Sequence, residues 1–430
     1  MRIAEGTAPS CHEGVESDER LLARLATSGH QFAHLVPTSR SVEGCRSKPS
    51  SMGLGYRLVS RPMLGVQDSE KAHARAILGL KLMCSNPITR TALNLTYGPQ
   101  SLNVTRFGAQ YPNPFGLAAG MDKRAEALRG WTTLGLGFIE IGGVTAEEQL
   151  GNPKPRMFRS GASKALVNRM GFNNPGSANM ANQLKRHFAR YGRPEVPLWA
   201  NLGKSKLTPL SDAPLDYATT MERLYSYCDV FVINVSSPNT PNLRELQHDD
   251  ALANIVAACN AVNQKQSQQL GVDAKPLLVK IAPDLSDDQL VAVVKTARDA
   301  GCDGIVATNT TIERPEANNA RDQLVFAETG GMSGQPVAQR STAMIHRIYE
   351  LTNGEWPIVG VGGISNAEDA WEKIGAGACL LQAYSGFVFE GPSLTKTVVN
   401  GLNKKLKQSS FSTLDEAIGF AHKQSPRVDE

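Results

Sequence analysis

Between Phe115 and Ala383 short apolar or β-branched runs alternate with amphipathic stretches, and this alternation sets the fold reading. The runs are 115–119 (FGLAA), 137–142 (GFIEIG), 197–202 (PLWANL), 230–235 (VFVINV), 277–282 (LLVKIA), 303–308 (DGIVAT), 357–361 (PIVGV) and 378–383 (ACLLQA). They lack period-two alternation, as parallel strands buried on both faces do. Helical spacing fills the intervals at 124–135, 176–191, 214–226, 248–265, 286–300, 338–352 and 366–375, and returns at 393–406. Ser286 followed by Asp287 and Asp288 makes a helix start, because a short oxygen caps free amides and acids favour the positive end. Gly301 supplies the stop of that helix.

Strand followed by helix, eight times over, predicts an α/β fold of the (β/α)8 TIM-barrel type. A doubly wound sheet is the alternative, but its GxGxxG turn after the first strand is missing. In a barrel, residues just past the strand ends gather on one face and build the site. That rule selects the residues worth weighing.

Ahead of the barrel, residues 52–97 read as a separate helical module and 98–405 as the barrel domain. In 68–83 (DSEKAHARAILGLKLM), Ala72, Ala76, Ile77, Leu80 and Met83 recur at helical spacing, with Lys71, Arg75 and Lys81 off that stripe. Gly79 costs about 1 kcal/mol against alanine in a helix interior, so contacts must hold this helix. Two readings stand: a helix packed on the barrel bottom, and an amphipathic membrane-docking hairpin. Residues 1–51, with Glu5, Glu13, Glu16, Asp18 and Glu19 among Ser, Gly and Arg, fit neither a signal peptide nor a transit peptide. They read as disordered or as an over-extended start, with Met52 as the alternative initiator. Residues 406–430 read as a polar tail that frays.

Composition narrows the chemistry. A formal charge of +4 and 6% aromatic residues give no basic, stacking surface for nucleic acid. The 7 cysteines are scattered with no CxxC pair, so neither a disulfide framework nor a zinc or iron–sulfur site is expected. The 8 histidines show no metal-ligand spacing. No apolar run reaches the roughly 18–20 residues needed to cross a bilayer.

Polar residues crowd after the strands. The first strand leads into AAGMDK, where Gly120 allows close backbone approach and Lys123 offers a compact cation. NRMGFNN at 168–174 is turn-rich, yet its asparagines both donate and accept, which suits an imide-like ring. Asn201 ends another strand. NVSSPNTPN at 234–242 is the most specific segment. Its serines have no adjacent histidine, so a serine hydrolase lacks its partner. A serine can instead accept a proton from an activated carbon acid if a relay such as Thr240 is near. Lys280 lies inside a strand and needs a counter-charge or strong acceptors. Glycine-rich GGMSG, GVGG and YSG follow in the last third, and loops after the last two strands commonly hold phosphate.

Taken in order, AAGMDK, EIGGVT, NRMGFN, NVSSPNTPNLR, VKIAPDL, ATNTT, TGGMSG, GVGGI and YSGF resemble the dihydroorotate dehydrogenases over roughly residues 56–405. The serine at 237, where the soluble class carries cysteine, resembles the quinone-dependent class (class 2), as does DSEKAHA at 68–74. The resemblance implies oxidation of dihydroorotate to orotate, a step of pyrimidine biosynthesis, with FMN as hydride acceptor and a membrane quinone as final acceptor. It implies Ser237 as the base, Thr240 and Phe172 on the proton exit route, and Lys123, Asn168, Asn234, Asn239, Asn309 and Thr310 on the pyrimidine. The loop Arg169, Met170, Gly171 and Phe172 would lie beside them. FMN would be held by Ala119, Gly120, Lys123, Gly143, Asn201, Asn234, Lys280 and Thr308, with Gly334, Gly363, Tyr384 and Ser385 on the phosphate side. The family usually has a hydroxyl residue where this chain has Gly143, so only a backbone contact would survive there.

The same resemblance implies peripheral membrane association through the N-terminal helices, with no iron–sulfur partner subunit. It favours the cytoplasmic face of a prokaryotic cell membrane over the mitochondrial inner membrane. The rival readings are a flavin barrel acting on another ring, a phosphate-binding barrel without redox chemistry, and a non-catalytic membrane scaffold.

Overall fold

All eight apolar runs form strands, and each is buried along its whole length because both faces are covered. The computed structural model describes residues 67–240, 242–247 and 249–423. The readings of 1–51, of Met52 as initiator, of 52–66 and of the last seven positions fall outside those residues.

Among the described residues two helices come first, α1 (Ser69–Met83) and α2 (Pro87–Tyr97), followed by a small antiparallel hairpin of β1 (Val104–Arg106) and β2 (Ala109–Tyr111). The barrel begins with β3 (Phe115–Leu117), α3 (Leu128–Thr133) and β4 (Ile139–Val144). A long excursion then carries β5 (Met157–Ser160) and β6 (Ala165–Asn168) before α4 (Ser177–Tyr191). Next come β7 (Leu198–Leu202), α5 (Ala213–Leu224), β8 (Val230–Asn234), α6 (Asp249–Leu270), β9 (Leu277–Ile281), α7 (Asp287–Asp299) and β10 (Gly304–Ala307). A second excursion holds α8 (Ala320–Phe326) and β11 (Gly331–Gly334). The barrel ends with α9 (Ala338–Leu351), β12 (Ile358–Val361), α10 (Ala367–Ala376), β13 (Leu380–Ala383), α11 (Ser385–Glu390) and α12 (Leu394–Gln408).

Strands β3, β4, β7, β8, β9, β10, β12 and β13 close into a parallel barrel, β13 pairing back onto β3. The two excursions meet in a separate antiparallel sheet, β5–β6–β11, in which Asn168 pairs with Gly331. Local periodicity did not foresee this sheet, since both of its long connections read as loop. In β4 the register to β7 jumps from Gly142 opposite Asn201 to Val144 opposite Leu202, leaving Gly143 as a bulge. A bulge of this kind re-aims the backbone beside a site.

Local signals explain several boundaries. Ser286 caps α7 in a capping box with Gln289, and Gly301 takes φ 90° at its far end. The helix expected at 124–135 is shorter, because the buried Asp122 carboxylate accepts the amides of Glu126 and Ala127 and the indole N–H of Trp131. That network holds a loop where the periodicity suggested helix.

The N-terminal stripe divides its work. Ala72 and Ile77 are buried and Leu80 is half-buried against Gly130, whereas Ala76 and Met83 face outward. A bidentate pair from Arg156 to Glu70, at 3.0 and 2.7 Å, fastens α1 to the barrel. Outward from this contact stand Leu78, Leu82, Ile88 and Leu95, the last two each 78% exposed.

The polar tail also needs correction. Beyond α12 the chain forms α13 (Leu414–Ala417) and α14 (Phe420–Lys423) and packs back on the barrel. Leu414 and Ala417 are buried, Phe420 stacks near Trp371 at 5.2 Å, and Arg106 pairs with Asp415. Leu414, Ala417, Ile418 and Ala421 stand at helical spacing, a local signal that the reading as a polar tail passed over.

Candidate active site

At the C-terminal ends of the barrel strands lies a cavity that opens to solvent on one side. Every barrel strand contributes to its wall or to the loop that follows it. Ala119, Gly120 and Lys123 follow β3, Gly143 is the bulge of β4, and Asn201 lies in β7. Asn234 ends β8, with Ser237 and Asn239 just beyond. Lys280 comes from β9, Thr308, Asn309 and Thr310 from the end of β10, Gly363 from beyond β12, and Tyr384 and Ser385 from beyond β13. The antiparallel sheet and its turn add Asn168, Met170, Gly171, Phe172 and Gly334, and all of these residues line the one cavity.

Two expected residues do not. Arg169 turns away: its guanidinium donates to Glu328 at 2.6 Å and to the Pro155 carbonyl, and lies 4.7 Å over the Phe158 ring. An arginine satisfied by a carboxylate, a carbonyl and an aromatic face is committed to shaping its loop. Thr240 is buried but does not reach the cavity wall.

A chain of amides runs around the barrel mouth. The carboxylate of the fully buried Glu140 accepts Gln382 Nε2 at 2.5 Å and Asn201 Nδ2 at 2.6 Å. Asn201 Oδ1 accepts Asn234 Nδ2 at 2.8 Å, and Asn234 Oδ1 accepts Asn309 Nδ2 at 3.1 Å. Asn201 and Asn234 spend both the oxygen and the nitrogen of their amides on neighbours, which fixes which way each is turned, and any contact to a bound ring must use the second N–H or the second lone pair. Glu140 and Gln382 were not foreseen. The available signal was a carboxylate and an amide inside otherwise apolar strand runs, FIEIG and LLQA.

The Ser237 loop is clamped from outside. Arg244 donates to Ser236 O at 3.2 Å, to Thr310 O at 3.1 Å and to Asp284 at 2.8 Å, joining the loops after β8, β9 and β10. Ser237 Oγ accepts the Asn239 N–H at 3.3 Å, and Asn239 Nδ2 donates to Asn168 Oδ1 at 3.2 Å. Serine and asparagine are thus presented together on a braced turn.

Two lysines enter the cavity under different conditions. Lys123 donates to Asn173 Oδ1 at 3.0 Å. Burial lowers its pKa to about 8, Glu70 acting in the opposite direction and Arg156 with it. Lys280 is only 5% exposed, and no hydrogen bond or ion pair to its ammonium occurs among the described residues. A buried cation without a partner calls for an acceptor or anion from elsewhere. Gln382 Oε1 is likewise buried without a hydrogen bond.

Opposite these groups the wall is backbone. A Cβ on Gly363 would stand 2.3 Å from that of Ala338, and one on Gly386 would stand 2.3 Å from Ile364 O. Helices α9 and α11 begin at this wall, and first-turn N–H groups of a helix lack intrahelical acceptors. An unpartnered cation, an orphan amide oxygen and a glycine wall fit a hydrogen-bonding ring system that carries an anionic tail.

The N-terminal module borders the same place. Its His73 is lowered to about 4 by burial first and by Lys123 second, while a backbone hydrogen bond to Met121 acts the other way. Tyr384, whose phenol is pushed up by burial and by Glu70, packs with Met157, Leu166 and Met170 next to this module.

A family model for dihydroorotate dehydrogenase matches residues 101–406. A protein of Gloeobacter violaceus named dihydroorotate dehydrogenase (quinone) is 47% identical over 368 residues, covering 85% of this chain and 99% of its own length. One of the same name from Halobacterium salinarum is 45% identical over 358 residues, covering 80% and 97%. Among solved structures, DHODH from Eimeria tenella in complex with ferulenol superposes with a TM-score of 0.74 at 33% identity, covering 85% of this chain and 99% of that one.

Proposed function

The chain belongs to the dihydroorotate dehydrogenase family, and from that premise we propose how its barrel mouth performs the reaction. It is an oxidoreductase of the quinone-dependent class, oxidising dihydroorotate to orotate in pyrimidine biosynthesis. The flavin that this family uses is FMN here, held on one side by Lys280, Asn201, Gly143 and Thr308. Gly334, Gly363, Tyr384 and Ser385 hold its phosphate side. The carrying observation is Lys280, a buried cation with no partner among the described residues, set in the same cavity as Ser237.

Bound there, FMN supplies a two-electron acceptor that a quinone can re-oxidise. The protein's own part is proton handling and charge placement. Ser237 takes the proton from the ring carbon next to a carbonyl. Lys123 receives the substrate carboxylate, and Asn168, Asn234, Asn239, Asn309 and Thr310 hold the imide edge. Their fixed N–H groups stabilise charge developing on the carbonyl oxygen. A hydroxyl is a weak base by itself, so Ser237 must hand its proton onward. Phe172, at the cavity, closes that exit. Thr240, buried three residues beyond Ser237, serves as the next carrier on that route.

Electrons leave through the N-terminal module. Helices α1 and α2 show Leu78, Leu82, Met83, Ile88 and Leu95 to the outside, an apolar surface suited to lying on a membrane. No described helix is long and apolar enough to cross one. We place the docking on the cytoplasmic face of a prokaryotic membrane, with quinone entering between α1 and the barrel near His73 and Tyr384.

Anaerobic mixing of the purified protein with dihydroorotate tests the reading. Flavin absorbance should bleach, and a quinone analogue should restore it where fumarate does not. A protein without flavin, or flavin that stays oxidised, would sink the assignment.

A further inference from the structure

On the outer wall of the barrel, away from the cavity, two histidines and a glutamate converge. His346 and Glu350 stand one turn apart on α9, and His422 comes from α14, beyond the stretch that matches the family model. One donor atom from each lies within 4.8 Å of the others. Sequence spacing gave no metal motif because the third group arrives from the far end of the chain.

The His422 ring is held on several sides. It stacks on His346 with centroids 3.8 Å apart at 27°, and on Tyr349 at 4.5 Å and 29°. Its Nε2 lies 3.0 Å from the Ala376 carbonyl. A carbonyl only accepts, so Nε2 carries the proton and Nδ1 keeps its lone pair. A backbone carbonyl on one ring nitrogen, with the other left to coordinate, is how metal-binding histidines are commonly oriented. The chain also approaches closely here: a Cβ on Gly419 would meet the Tyr349 ring at 2.3 Å.

We propose that His346, Glu350 and His422 bind one divalent transition-metal ion of the zinc class, fastening the C-terminal segment to the barrel wall. Two imidazoles and a carboxylate are a donor set that Zn²⁺ accepts, with water in the fourth position. Metal–ligand bonds of about 2.0–2.2 Å put tetrahedral donors roughly 3.4 Å apart, so the donors must close by up to about 1.4 Å, and because a metal lies in the plane of each imidazole it binds, the His346 ring must also swing out of its stack on His422. They have the freedom to do so, since His346 and Glu350 are 41% and 44% exposed. Two present contacts of Glu350 would yield, His346 Nδ1 at 3.3 Å and Arg347 Nη1 at 3.4 Å. Arg347 loses little, because its Nε and Nη2 are bound to Asp287 at 2.8 and 2.9 Å.

The test is calorimetric titration of chelator-treated full-length protein with ZnCl₂, beside a thermal melt with and without the metal. One saturable equivalent and a higher melting temperature are expected. His346→Ala and His422→Ala should each weaken binding at least tenfold and remove the thermal shift. Dihydroorotate oxidation in those variants should stay at the wild-type rate, which shows that they fold. Wild-type protein without saturable binding overturns the site, as does zinc binding that persists in the doubly substituted His346→Ala, His422→Ala protein.

Discussion

The ring of Phe172 rests against the Gly143 bulge, so closely that a Cβ on residue 143 would stand 2.6 Å from Cε1 and 2.7 Å from Cδ1. Phe172 cannot simply withdraw. It holds φ 49°, and its carbonyl accepts Asn174 Nδ2 at 2.6 Å. The absence of a side chain at 143 is therefore matched by where Phe172 sits. Gly143→Ser should force the ring to rotate, at about 1–3 kcal/mol for overpacking. FMN should remain bound while flavin reduction slows roughly tenfold, since about 1.4 kcal/mol of barrier is a factor of ten. Stopped-flow reduction at the wild-type rate would show that the ring yields freely.

Ser237→Ala removes the proposed base at little cost to its neighbours, because among the described residues Ser237 Oγ is bonded only by the long contact from the Asn239 amide. FMN and orotate should bind normally. The reductive half-reaction should fall by about 10²–10⁴-fold, the usual worth of a positioned acid or base. Near-normal reduction would refute the role.

Lys123 carries a pH signature in two directions. Its folded pKa is lowered by burial to about 8 from an ordinary 10.5. Between those values the unfolded chain holds a proton that the folded chain lacks, so this group makes the fold more stable as pH rises through that window. Substrate affinity runs the other way. The ammonium that receives the carboxylate is lost above about 8, so kcat/KM should decline there. Lys123→Arg should abolish that limb, whatever its effect on the maximal rate; a limb that persists would assign it to another group.

Gly79 sits within α1, and a Cβ built on it meets nothing within 4 Å. Gly79→Ala should therefore stabilise the protein by about 0.5–1 kcal/mol through helix propensity alone. Denaturant unfolding reads this directly, and destabilisation would mean that the glycine has a partner outside the described residues.

Ile88 and Leu95 offer their side chains to no protein core. Replacing both with glutamine should leave flavin reduction intact and lower sedimentation with anionic lipid vesicles several-fold. Quinone-dependent turnover should fall in parallel. Unchanged vesicle binding would remove the docking role from α2.

The barrel was legible from local pattern, since buried parallel strands read as continuous apolar runs and the helices between them as amphipathic repeats. So were the strand-end segments, because turn glycines and clustered amides are local features too. What failed were features whose meaning depends on a distant partner. Arg169 looked like a substrate contact beside Asn168, and the structure commits it to Glu328, 159 positions away. Residues 406–430 looked like a fraying tail, yet Leu414 and Phe420 find the barrel wall.

By itself, then, the sequence determined the fold class, the ends of its strands and the polar groups crowded there, all written in spacings of a few residues. Tertiary structure alone decided which of those groups face one another. Gln382 meets Glu140 across 242 positions, orienting the amides that line the mouth, and the Gly143 bulge meets Phe172 from another connection. Such pairings arise from barrel closure and loop packing, where steric fit and hydrogen-bond satisfaction act between segments whose separation leaves no period to read.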